Sequence, residues 1–241
     1  MRQQGAPCFE DIIMKFEKKE IFKGELLNIT SFDKGFVFAV KKENSDGVFR
    51  VKFYGYDAVN DKFSSVKKLV YLKIKFGFEY EDISETLGDY VSCDSAILPD
   101  GKVMAMYPSG EYSLFNSDGS VSVSSLLTYR GAHACDLACD GDMVWCVVPD
   151  ENAIIKYSPS DARIPMRIGG GNSTTFDRPC SVTVIDNKLY VCSSGSRNIR
   201  EYDTKTNKIR DFMKFEEKVF KYIESGSRRF VWLKSGLYEL V

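Results

Sequence analysis

A unit of about forty residues recurs along this chain, and a recurrence of that length confines the fold to architectures whose units bury their apolar faces against one another. Ser92-Cys-Asp-Ser-Ala-Ile-Leu98, Ala134-Cys-Asp-Leu-Ala-Cys139 and Pro179-Cys-Ser-Val-Thr-Val184 place cysteines at 93, 135 and 180, which are 42 and 45 residues apart. A fourth copy starts 40 residues later at Val219-Phe-Lys-Tyr-Ile-Glu224, with Phe220 in the cysteine's place. Each copy continues into a polar turn: Pro99-Asp-Gly101, Asp140-Gly-Asp142, Asp186-Asn-Lys188 and Ser225-Gly-Ser227. Such turns suit two-residue hairpins, which require positive φ. A second apolar run follows, and aligning its copies sets Met106, Cys146, Cys192 and Leu233 at one repeat position. A site filled by Met, Cys, Cys and Leu asks only for medium apolar volume.

Third strands follow at Tyr112–Phe115, Ile154–Tyr157, Ile199–Tyr202 and Leu237–Leu240, and fourth strands at Val121–Leu126, Ile164–Ile168 and Ile209–Phe215. Four short strands per unit, joined by tight turns, make one blade of a β-propeller. A more diverged first copy would use Leu26–Phe32, Phe36–Lys41, Phe49–Tyr56 and Val66–Ile74. The last copy reaches Val241 after three strands, so the N-terminal segment, which holds Ile12-Ile-Met-Lys-Phe16 and Glu20-Ile-Phe22, is expected to supply its fourth. A ring closed by both chain ends leaves no open edge. Phe9, Ile12, Ile13 and Phe16 would also suit a helix face. Five blades are expected, or six if the segment 12–23 forms a reduced blade of its own. The expectation is an all-β, antiparallel propeller spanning 1–241 as a single domain, with 1–8 as a disordered tail.

Composition narrows the function classes. Thirty-three basic against 34 acidic residues give a net charge of −1, so no global field recruits nucleic acid or an anionic membrane. No apolar run approaches a membrane span. Seven cysteines, an odd number, point to reduced thiols and a cytoplasmic setting rather than a secreted disulfide framework. With one histidine and no Cys-x-x-Cys pair, a zinc finger is excluded.

The stretch Arg167–Asp203 carries Arg167-Ile-Gly-Gly170, Phe176-Asp-Arg-Pro179, Leu189-Tyr-Val191, Ser194-Gly-Ser-Arg-Asn-Ile199 and Tyr202-Asp203. In that order these elements resemble an NHL-type repeat. The neighbouring copies keep the spacing and lose the Phe-x-x-Pro and the Arg-Ile turn. The resemblance implies a propeller and says little of activity, since such propellers include protein-binding platforms, RNA binders, lactonases and lyases.

Ligands of a propeller usually meet the loops that lead into the inner strands and those joining second to third strands. Here these loops carry His133, Arg178, Arg197, Asn198 and Asn152 as candidate binding residues. Two arginines and a histidine would prefer an anionic or carboxylate-bearing ligand, arginine binding it through paired N–H groups. The expected function is a non-enzymatic platform that binds a protein or a small ligand at this mouth. The alternative is a small-molecule hydrolase or lyase, lactonase-like, with His133 as general base oriented by Asp136 or Glu151. No cofactor is expected. A divalent cation such as calcium would draw on Asp94 and Asp136. The acidic run Glu79–Asp89 is read as a solvated crossover, or else as a docking patch for a basic partner. Mass spectrometry of the native protein should find the cysteines mostly reduced. Three disulfides would overturn both that reading and the cytoplasmic placement.

Overall fold

The computed structural model of the chain describes residues 16–43, 47–77 and 91–241. They form five four-stranded antiparallel sheets, arranged as the blades of a ring. Blade 1 is β2 (Leu26–Phe32), β3 (Gly35–Glu43), β4 (Phe49–Asp57) and β5 (Lys62–Val66). Blade 2 is β6 (Asp94–Ile97), β7 (Val103–Met106), β8 (Glu111–Phe115) and β9 (Val121–Leu126). A short ribbon, β10 (Thr128–Tyr129) with β11 (Ala132–His133), leads into blade 3. That blade is β12 (Cys135–Asp140), β13 (Met143–Val148), β14 (Ala153–Ser158) and β15 (Arg163–Gly169). Blade 4 is β16 (Pro179–Ile185), β17 (Lys188–Ser193), β18 (Asn198–Asp203) and β19 (Lys208–Lys214). Blade 5 is β20 (Val219–Ser225), β21 (Arg228–Leu233) and β22 (Gly236–Leu240), completed by β1 (Lys18–Lys23).

β1 runs antiparallel to β22, with Lys18 opposite Leu240 and Lys23 opposite Gly236. It supplies the missing strand of blade 5, so the ring has five blades and the segment makes no sixth. Phe9, Ile12, Ile13 and the expected tail 1–8 lie outside the described residues, as does Glu79–Asp89. Closure is reinforced on the outside by Arg228, which pairs with Glu239 and donates to Ala58 O and Tyr56 Oη of blade 1. Inside, Phe36 and Tyr56 of blade 1 pack against Phe230 of blade 5.

The burial pattern explains the layering. The second strands are almost wholly apolar, as in Val-Met-Ala-Met of β7, because both their faces meet neighbouring blades. Outer β9 reads Val-Ser-Val-Ser-Ser-Leu and is exposed throughout. Cores accordingly form between blades: Met104, Met106, Leu137 and Cys146 share one, and Trp145, Phe176 and Val191 another.

Three expectations need correction. Val66–Ile74 is not a strand; β5 ends at Val66 and α1 spans Lys68–Phe76. Tyr71, Leu72, Lys75 and Phe76 recur at helical spacing and are buried, and Gly77 closes the helix with φ 66°. The helix packs against β2, β3, β4 and β6, wedging between blades 1 and 2. Secondly, Cys146 and Cys192 are not equivalent. The hairpins pair Asp140 with Met143 and Ile185 with Lys188, so Cys146 matches Val191 and Cys192 matches Val147. One residue of offset turns a side chain to the opposite face, and the two thiols accordingly enter different inter-blade cores. Thirdly, the Pro99 turn is longer than two residues, with Leu98 pairing Lys102 around Gly101 at φ 81°. The Asp186-Asn187 turn is a two-residue hairpin, with both φ values positive.

Phe36 is fully buried at the closing joint. Phe36→Ala should cost about 3–5 kcal/mol in chemical denaturation. Val59→Ala, at a position 72% exposed, should stay within about 0.5 kcal/mol.

Candidate functional site

The inner strands β2, β6, β12, β16 and β20 carry Asn28, Asp94, Asp136, Ser181 and Lys221 at one equivalent position, four residues before the last hairpin pair in every blade but blade 2, where the longer turn makes it three. Ring geometry gathers these positions on the axis. Lys221 Nζ donates to Asp94 Oδ1 at 2.8 Å and also to Asp136 Oδ1. Asn28 Nδ2 donates to Asp94 Oδ1 at 3.1 Å, and Asp136 Oδ2 accepts the Val182 amide at 2.6 Å. Residues from blades 1, 2, 3 and 5 are thus joined in one network, with the backbone of blade 4 attached. Helix α1 adds Lys75, 1% exposed, whose Nζ donates to Val91 O at 2.9 Å and to Cys93 O.

Electrostatics follow from this crowding. Burial opposes ionisation of Asp94, but the charge and hydrogen bond of Lys221 outweigh it and hold its pKa below the ordinary value. Burial, then the neighbouring Asp94 charge, pushes Asp136 up to about 8. The two carboxylates expected as cation ligands therefore do converge, but on the Lys221 ammonium. Among the described residues no group of three or more His, Cys, Asp or Glu is placed to hold a metal. Burial also pushes the Cys93, Cys135 and Cys192 thiols up to about 12, and the six described cysteines are free thiols.

The other nominated residues lie on the face where the inner strands begin. His133 is exposed at the end of the β10–β11 ribbon and lies against Gly110. The structure does not unite it with its expected partners. Asp136 is turned to the axis, while Glu151 lies 3.9 Å from Arg130. Asn152 has φ 50° and braces the next blade by accepting the Arg178 amide on Oδ1 at 2.8 Å. Asn198 accepts Ser196 Oγ and donates to Asp211.

Arg178 and Arg197 do come together. They line a groove of about 490 Å³ between blades 4 and 5, with Lys218 and Lys234 on its blade 5 side. Arg197 Nη1 donates to Glu216 O at 2.9 Å, which fixes its reach. Glu216 and Glu217 line the groove as well, so four cationic groups face two carboxylates; Glu217 accepts the Ser235 amide and hydroxyl, and Asp177 packs against Gly195.

No family model matches the chain, and no curated protein matches it in sequence. Solved structures do. Virginiamycin B lyase from Staphylococcus aureus is similar over 89% of this chain and 79% of its own, at 10% identity and a TM-score of 0.53. The WD40 propeller domain of Doa1 is similar over 88% of this chain at 10% identity and a TM-score of 0.52. This chain spans 62% of that Doa1 chain. The shared feature is the fold. This chain is a five-bladed β-propeller.

Lys221 and Asn28 escaped the sequence reading, although a signal was present. Reading the residue after the cysteine position in all five copies yields Asn, Asp, Asp, Ser and Lys, a polar column inside apolar strands. Lys75 had no such marker, because the helix it belongs to breaks the repeat.

The raised pKa of Asp136 has a definite sign. An unfolded aspartate titrates near 4, so the folded chain holds an extra proton between pH 4 and 8. The stability from this group is complete below the lower value and is lost as pH rises to about 8. Asp136→Asn removes the titration. From pH 5.5 to 7.5, wild-type stability should therefore fall relative to Asp136→Asn by about 1 kcal/mol per pH unit. Urea midpoints of the two proteins measure this; a constant difference would show an ordinary carboxylate.

Proposed function

We propose that this protein is a non-enzymatic interaction platform, an NHL-like propeller that takes an acidic segment of a partner protein in the groove between blades 4 and 5. The observation that carries the reading is the convergence of Arg178, Arg197, Lys218 and Lys234 on one concave surface. Arginine pairs with carboxylates through two parallel N–H bonds, and lysines add point charges around them. Asp136 and Glu151 could have neutralised the arginines, but they are engaged at the axis and with Arg130. The NHL-like motif supports the same site. Arg178 lies in its Phe-x-x-Pro segment and Arg197 in its Ser194-Gly-Ser-Arg-Asn-Ile199 turn. A rigid sheet holds both loops, which is how scaffolds of this kind present recognition residues.

The candidate acid–base groups favour this reading over the hydrolase or lyase. Asp136 serves Lys221 and a backbone amide, and His133 stands on a separate ribbon. A fluorescein-labelled peptide with four consecutive glutamates should bind saturably, and more weakly as salt rises. Arg178→Ala/Arg197→Ala should weaken it at least tenfold while leaving the melting curve nearly unchanged, since both side chains are exposed. Absence of binding, or equal binding to both proteins, would overturn the reading.

A further inference from the structure

The axial network closes the centre of the ring on one side and leaves a well on the other. The well has a volume of about 270 Å³ and is lined by residues from all five inner strands. Its lining runs from Lys221 and Asp94 towards the hairpin turns, reaching Ser31, Cys139 and Val184. It therefore lies on the face opposite the cationic groove. Two charged groups reach it: the side chains of Lys221 and Asp94 remain 15% and 18% exposed. Thr30, Ser31 and Thr183 stand on the walls, while Leu137, Val182 and Ile223 border the well but turn mostly into the inter-blade cores, so the lining is mixed in polarity.

The floor has unspent bonding capacity. A lysine ammonium has three N–H donors, and Lys221 gives one to each of two carboxylates. The Asp94 carboxylate has about four acceptor sites; its Oδ1 receives Asn28 and Lys221, and Asp136 bonds to the carboxylate too, which leaves one site over. A purely anionic ligand would press against Asp94, and a purely cationic one against Lys221. A ligand carrying both charges side by side meets neither penalty. The ammonium and carboxylate of an α-amino acid are joined through one carbon, which sets N and O about 3 Å apart. That spacing matches the 2.8 Å between Lys221 Nζ and Asp94 Oδ1. The volume of the well exceeds the roughly 150 Å³ of a cavity that admits benzene, so a side chain the size of leucine's has room.

We propose that the axial well is a binding site for a free α-amino acid, its carboxylate on Lys221, its ammonium on Asp94 and its side chain directed to the mouth past Thr30 and Thr183. The site is independent of the groove between blades 4 and 5 and stands whether or not that groove binds acidic segments.

Calorimetric titration of the full chain with L-leucine tests it, alongside 3-methylbutylamine and 4-methylpentanoate, which each keep the side chain and one charge. Leucine should bind saturably and each analogue at least tenfold more weakly. Thr30→Trp should block the well and weaken leucine at least tenfold. Ser31→Trp, at the exposed rim, should do the same without disturbing the inter-blade core, so a folding defect in the first variant leaves the second to decide. Arg178→Ala/Arg197→Ala should bind leucine as wild type does. No heat with leucine, analogues that bind equally well, or a folded Ser31→Trp protein with unchanged affinity would each overturn the proposal.

Discussion

Five sheets closed around one axis bring the same position of every inner strand to the same place, and whatever stands there must be mutually compatible. This chain meets that constraint with a lysine between two aspartates. One side chain from blade 5 bonds to blades 2 and 3, and Asn28 ties in blade 1. Removing one partner of a buried ion pair leaves an uncompensated charge, whereas the intact set is close to balanced. The arrangement thereby ties the identity of each blade's central residue to that of the others. A lysine in blade 3 or an aspartate in blade 5 would place like charges together.

The same network divides the two faces. Above it, the loops that lead into the inner strands differ in length and charge, from the β10–β11 ribbon to the exposed Arg178. Below it, the hairpins are short and the space between the strands remains open down to Lys221 and Asp94. The two candidate sites thus have different physical character. The groove between blades 4 and 5 is an exposed cationic surface, governed by charge and salt. The well is small and open at one end, with its charged floor largely buried, and at that floor each hydrogen bond counts for more than it would in water.

How far the sequence could be read depended on whether a feature repeats. The four-stranded blades, a count of five or six, and closure by the N-terminal segment were legible, because each blade restates the same pattern of turn and apolar run. Arg178 and Arg197 could be placed on one face by the same logic, although only the structure shows that they share a groove with Lys234. Features that break the repeat were lost. The run after Lys68 reads Leu-Val-Tyr-Leu-Lys-Ile, and a short apolar run of that kind does not distinguish a strand from a buried helix. Cys146 and Cys192 were misaligned because a run buried on both faces carries no alternation from which to read register.

The pairing of β1 with β22 has a consequence for the order of folding. Lys18 and Leu240 meet in one sheet although nearly the whole chain separates them. Contacts of such long range bear the largest loop-closure entropy and form late. During synthesis, blades 1 to 4 can assemble as each hairpin emerges, while the strand made first has no partner. Its unpaired edge must persist until β22 has left the ribosome. The interval before closure is when this chain is most exposed to pairing with another copy of itself.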